Sequence, residues 1–181
     1  MPGDDPQSHD EAAMDYDEPG SDWTDPDLDP EAHMLCAAMW SRDADELRFI
    51  TELVREDDFA NPLHRPIYAA IRDAIAQGRP HDPASIGAEL ARGGTERVPP
   101  TVHYTFRAVL TLGSPALAVR HYAANVVATA YRRSFHDLAQ TMGYAAEAAA
   151  EDELFPILVQ LGTRQRAELR RLTTLRGTGL A

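Results

Sequence analysis

Asn61-Pro62-Leu63-His64-Arg65-Pro66-Ile67-Tyr68-Ala69-Ala70-Ile71-Arg72-Asp73-Ala74-Ile75-Ala76-Gln77-Gly78 contains every signal a helix needs. The Asn61 oxygen can accept an orphan N–H, and proline's fixed φ suits the first helical position. Leu63, Ile67, Ala70, Ile71, Ala74 and Ile75 then recur at helical spacing before Gly78 closes the run. The same pairing of a capping side chain with proline occurs at Asp29-Pro30, Asp82-Pro83 and Ser114-Pro115. It predicts helices from each of these points.

Working outward, Pro30 to Met39 and Asp45 to Val54 form two further helices. A short helix after Pro83, with Ile86 and Leu90, stops at Gly93-Gly94. Another after Pro99-Pro100 carries Val102, Phe106, Val109 and Leu110 to Gly113. No stretch alternates apolar and polar residues between hairpin turns, so the chain is all-α. Beyond Pro115 the pattern Leu117, Tyr122, Ala123, Val126, Ala130, Phe135, Leu138, Met142 meets no breaker before Gly143. After Glu151-Asp152-Glu153 comes Leu154, Leu158, Leu161, Gln165, Leu169 and Leu172. Acids at that start and Arg164, Arg166, Arg170 and Arg171 near its end complement the helix dipole. Two long helices with a short link make an antiparallel hairpin. A hairpin this long overhangs a five-helix head, so its outer half should expose an apolar stripe of the kind that marks a partner surface. The residues expected there are Phe135, Leu138 and Met142 against Leu154, Leu158, Leu161, Leu169 and Leu172.

The chain has 181 residues and a net charge of −12, with all 17 basic residues arginine. Twelve of the 29 acids fall in the first 31 residues, which hold no arginine; the other 17 acids balance the arginines. The expected organisation is a disordered acidic arm over 1–28, a helical head over 29–113, the hairpin over 114–176 and a short disordered tail over 177–181. Within the arm, Tyr16 and Trp23 stand among aspartates. Acid around isolated aromatics suits docking on a basic, apolar groove, or the segment is a solubilising tail.

A chain without lysine holds no phosphate-loop or Schiff-base lysine, and no GxxxxGK[ST] is present. No run is long and apolar enough to span a bilayer, and the N-terminus lacks signal-peptide character, so the expected location is cytoplasmic. Cys36 is alone in an apolar helix and reads as an inert core thiol. His64 beside Arg65 and near Asp57-Asp58 reads as structural rather than catalytic, and His81 and His121 lack metal-ligand spacing. The sequence calls for no cofactor and no enzyme. The C-terminal arginines Arg164, Arg166, Arg170 and Arg171, with Arg176, either cap a helix or fork onto phosphate.

Asp57-Asp58-Phe59-Ala60-Asn61-Pro62-Leu63-His64-Arg65-Pro66-Ile67-Tyr68-Ala69-Ala70-Ile71 resembles the N-terminal domain of the DnaB family of bacterial replicative helicases. The shared pattern is acid, Phe, a capped turn, His-Arg, then an aliphatic-aromatic helix. Glu31 with the helix after it, Gly78 with Asp82, and Tyr122-Ala123 with Arg132-Arg133 fall in the family's order. The likeness covers roughly residues 30 to 150; the family's glycine pair looks displaced, to Gly93-Gly94. It implies structural roles for Phe59, His64, Arg65, Ile67 and Asp82. It further implies a collar domain that pairs through hairpins and docks primase and loaders, here freestanding and without helicase activity. The expected function is an interaction module of DNA replication that self-associates or pairs with the replicative helicase or primase. The alternative is a small DNA-associated regulator using the Arg-rich helix.

Overall fold

The computed structural model describes residues 28–177, and every regular element among them is helical, with no strand. The arm residues Tyr16 and Trp23 lie outside the described residues. Helix α1, Pro30–Trp40, is the axle of the head. Asp29 caps it by accepting the Glu31 N–H at 2.8 Å, with Pro30 in the first turn. Apolar side chains surround it, and Ala32, Met34, Leu35, Cys36, Ala37, Ala38 and Met39 are all buried. A helix apolar on every side must be enclosed. Around it stand α2 (Ala44–Leu53), α3 (His64–Ala76), α4 (Pro83–Arg92), the single turn α5 (Gly94–Arg97) and α6 (Pro100–Leu110). These present Leu47 and Ile50, Ile67 and Ile71, Ile86 and Leu90, and Val102, Phe106 and Val109 to one common core.

Of the four cap-proline pairs, Asp29-Pro30 and Asp82-Pro83 open helices as expected. Asp82 accepts the N–H groups of Ala84 and Ser85 and the Ser85 hydroxyl, which hold its carboxyl below the usual aspartate range. Asn61 accepts the Leu63 N–H at 2.9 Å, so it closes a turn and α3 begins only at His64. Ser114-Pro115 is a correction. Its hydroxyl is taken by His33 Nδ1 at 2.8 Å, and a 3-10 turn over Ala116–Ala118 precedes the long helix.

That helix, α7, runs Val119–Ala148, and α8 returns over Glu151–Arg176. At 1.5 Å per residue they are about 45 and 39 Å long. Gly143 does not end α7. It sits exposed mid-helix, and its intrinsic cost of about 1 kcal/mol is outweighed by packing along the hairpin. The root of the hairpin lies on the head: Val119, Ala123, Val126 and Val127 of α7 and Leu172 and Leu175 of α8 join the core. Past Val127, Ala145 is the sole α7 residue fully buried. Gly177, at φ 69°, terminates α8 in a left-handed turn.

Candidate protein-interaction surface

Three groups of polar contacts organise the head and the hairpin, one within the head and two that hold the hairpin. The first is at the α1 cap. Glu31, 6 % exposed, accepts the N–H groups of Ala60 and Asn61 at 2.6 and 3.2 Å, and His64 Nδ1 lies 2.9 Å from its Oε2. Asn61 points its oxygen at the Leu63 N–H, leaving its amide N–H to meet His64 Nε2 at 3.4 Å. His64 Nε2 is therefore the acceptor, and Nδ1 donates to Glu31. Asp29 Oδ2 stands 3.7 Å from the same nitrogen. Burial raises the Asp29 carboxyl above the usual aspartate range, against the pull of His64 and the Glu31 N–H. The three side chains offer ligand atoms within 4.8 Å of one another. Two backbone N–H groups and the imidazole already engage both Glu31 oxygens, so the cluster works as a staple between α1 and α3.

The second group binds α8 to the head. Asp58, 3 % exposed, receives Arg171 through two N–H···O contacts of 2.6 and 2.7 Å, in a fork-to-fork arrangement. The Arg55 N–H donates to Asp58 Oδ2 at 2.7 Å, and Arg171 also donates to Leu53 O and Glu168. Burial opposes the Arg171 charge, but the Asp58 and Glu168 carboxylates outweigh it and raise its pKa. Arg133 of α7 donates to the carbonyls of Asp57 and Asp58, closing the joint from the other helix. Arg171 is thus removed from the expected phosphate-contacting set. It is 8 % exposed and engaged by carboxylates, while Arg164, Arg166 and Arg170 remain exposed.

The third group sets the hairpin's own register. Ser134 donates to Gln165 Oε1 at 2.8 Å, and Gln165 donates back to the Ser134 carbonyl at 3.0 Å. Gln165 is 9 % exposed, so this reciprocal pair sits in the seam between α7 and α8. With Gln165 inward, helical spacing turns Leu154, Leu161 and Leu172 inward as well.

The expected stripe therefore divides. Leu172 is 4 % exposed and belongs to the core, because α8 has by then reached the head. Leu138, Met142, Leu154, Leu161 and Leu169 are half-buried. Phe135 and Leu158 stand out in solvent at 45 % and 46 % exposed. Within α7 and α8 the most open large apolar residues are Tyr144, Phe155 and Val159, which lie outside the expected stripe. Phe155, Leu158 and Val159 follow the i, i+3, i+4 spacing and form one outward face of α8. The signal was present in Leu154-Phe155-Pro156-Ile157-Leu158-Val159, but a run apolar on all sides does not reveal its phase. Pro156 lies inside the helix beside this face.

The other motif residues pack or hydrogen-bond within the head. Phe59 is fully buried against Tyr68, ring centroids 4.8 Å apart, and the Tyr68 hydroxyl donates to Val54 O. Arg65 Nε donates to Phe59 O at 3.0 Å, and Ile67 is fully buried. Among the described residues no helix is long and apolar enough to cross a membrane.

A helical head stapled at the α1 cap, with a projecting two-helix arm, defines the class: the N-terminal domain type of replicative helicases. Residues 25–128 match the DnaB-like helicase N-terminal domain, and the chain belongs to that family. The replicative DNA helicase DnaB of Mycobacterium leprae is 32% identical over 138 residues, which are 76% of this chain and 18% of the helicase. The crystal structure of the N-terminal domain of DnaB helicase from Mycobacterium tuberculosis shares the fold. Its TM-score is 0.58 at 24% identity, over 79% of this chain and 94% of that one.

Proposed function

We propose that this protein is a non-enzymatic interaction module of DNA replication that self-associates through the outer hairpin, or pairs there with the corresponding domain of a replicative helicase. The observation that carries this reading is the outer half of the hairpin. Tyr144, Phe155, Leu158 and Val159 are exposed there, and Phe135 is exposed nearer the head, on Tyr131. Large apolar side chains grouped on a projecting element cost solubility unless a partner covers them. The family match concerns the N-terminal domain of the helicase, and Phe59, His64 and Ile67 are buried in the head here. Primase and a helicase loader are the further partners the family suggests.

Sedimentation velocity on the full chain tests the pairing surface. Leu158→Glu, at a site 46 % exposed, leaves the fold intact and lowers the sedimentation coefficient to that of a single chain. An unchanged coefficient, or a wild-type chain already monomeric that also fails to co-purify with a replicative helicase, refutes the reading. The alternative of DNA contact now rests on Arg164, Arg166, Arg170 and Arg176, which remain exposed. It requires DNA retention that falls steeply with added salt.

A further inference from the structure

A groove of roughly 500 Å³ lies beside the α1 cap, between the turn at Ala60, Asn61 and Pro62 and the flank of α7. Pro30 and Pro62 supply its open apolar lining, and Val126, also in the lining, is itself fully buried. Its far rim is basic, formed by Arg132, Arg133 and His136. The acids at its near edge, Asp29 and Glu31, are buried and engaged in the staple. Arg133 is committed to the carbonyls of Asp57 and Asp58. Arg132 and His136 are exposed and make no ion pair among the described residues.

The chain itself enters at the groove's edge, because Asp29 and Pro30 line it and Leu28 is the residue before them. The 27 residues preceding Leu28 contain ten acids and no arginine or lysine. Closest in sequence is Asp22-Trp23-Thr24-Asp25-Pro26-Asp27, an aromatic flanked by carboxylates. Reach is sufficient. From Asp29 back to Trp23 the backbone spans up to about 20 Å at full extension. From Val126 to His136 the flank of α7 is about 15 Å long. The groove therefore faces a tethered segment of complementary charge with an aromatic suited to its apolar lining.

We infer that residues 22–27 dock in this groove of their own chain. The Trp23 indole covers Pro30 and Pro62, and Asp22 and Asp25 pair with Arg132 and His136. A tether this short supplies an effective concentration of about millimolar, so a contact of about 0.1 mM intrinsic Kd is mostly formed. Docking here also covers the flank of α7 from Val126 to His136, which places the acidic arm at the base of the hairpin.

The full chain carrying Trp40→Phe has Trp23 as its one tryptophan, and Trp40 ends α1 at 55 % exposed, so the exchange disturbs no core. Acrylamide quenching of Trp23 is compared with that of a synthetic peptide of residues 1–28. The quenching constant should be about threefold lower in the chain than in the peptide, and independent of protein concentration. Arg132→Glu with His136→Glu should return it to the peptide value, while Arg166→Glu with Arg170→Glu leaves it low. Circular dichroism confirms that both double variants stay folded, all four positions being exposed. Peptide-like quenching in the unaltered chain overturns the inference. So does protection lost with the Arg166/Arg170 pair but kept with the groove pair, which moves the arm to the end of α8. Protection that grows with protein concentration places the arm on a second copy and overturns the intrachain form.

Discussion

Arg171→Met should weaken the protein far more than an arginine-to-methionine exchange on a helix surface. Methionine fills much of the same volume but leaves Asp58, 3 % exposed, with only the Arg55 N–H of its three partners. The Leu53 carbonyl loses a donor too. Removing one member of a buried ion pair costs about 3–5 kcal/mol, most of it from the charge left behind. In a domain of this size each kcal/mol lowers Tm by about 2–4 °C, so the melt should move down by roughly 6–20 °C. Arg48 paired with Asp45, both largely exposed, is the internal control and should cost at most about 1 kcal/mol when broken. Urea and thermal unfolding followed by circular dichroism measure both. Adding Asp58→Asn to Arg171→Met removes the stranded charge and should recover part of the loss, so the two changes are not additive. A loss below about 1 kcal/mol for Arg171→Met, or strict additivity in the double variant, refutes a buried joint between α8 and the head.

Gln165→Ala removes both halves of the reciprocal pair with Ser134 and should cost about 1–2 kcal/mol. Amide exchange should quicken in the outer hairpin while the head stays protected; uniform loss of protection across both would refute a local register role. Asp29→Asn keeps an oxygen for the Glu31 N–H but removes the charge. Burial raises the Asp29 carboxyl in the folded state, so the folded chain binds its proton more tightly than the unfolded one. Wild-type stability therefore falls as pH climbs from the ordinary value of 3.8 through the raised one. Asp29→Asn should gain on wild type over that window, and a stability difference constant with pH would refute it.

The helices were legible because each carries its own punctuation. Asp29 and Asp82 announce their helices with a cap and a proline, and Gly78, at φ 64°, ends α3 where a left-handed residue is required. Ser114 carries the same local signal, yet His33, 81 residues upstream, takes its hydroxyl. Local signals lose wherever a distant partner offers a better contact. The joint between Asp58 and Arg171, 113 residues apart, leaves no local trace at all. Tyr68 was missing from the expected core face for a similar reason: its hydroxyl is made burial-compatible by Val54 O, fourteen residues back. On α8 the difficulty was phase rather than existence. Leu154 and Leu158 look equivalent in a run apolar on every side, and only the seam contact of Gln165 with Ser134 turns the first inward and the second out.

The seam pair and the Asp58 joint hold the hairpin at one end only. From Gln165 to the start of α8 at Glu151 the unsupported length is about 21 Å. A tilt of about 5° at the joint would carry the tip roughly 2 Å sideways, about the scale of the helix shifts that switch subunit interfaces. Whatever loosens or tightens Asp58 and Arg171 is geared into the placement of Phe155, Leu158 and Val159, so the base of this lever steers a contact it never touches.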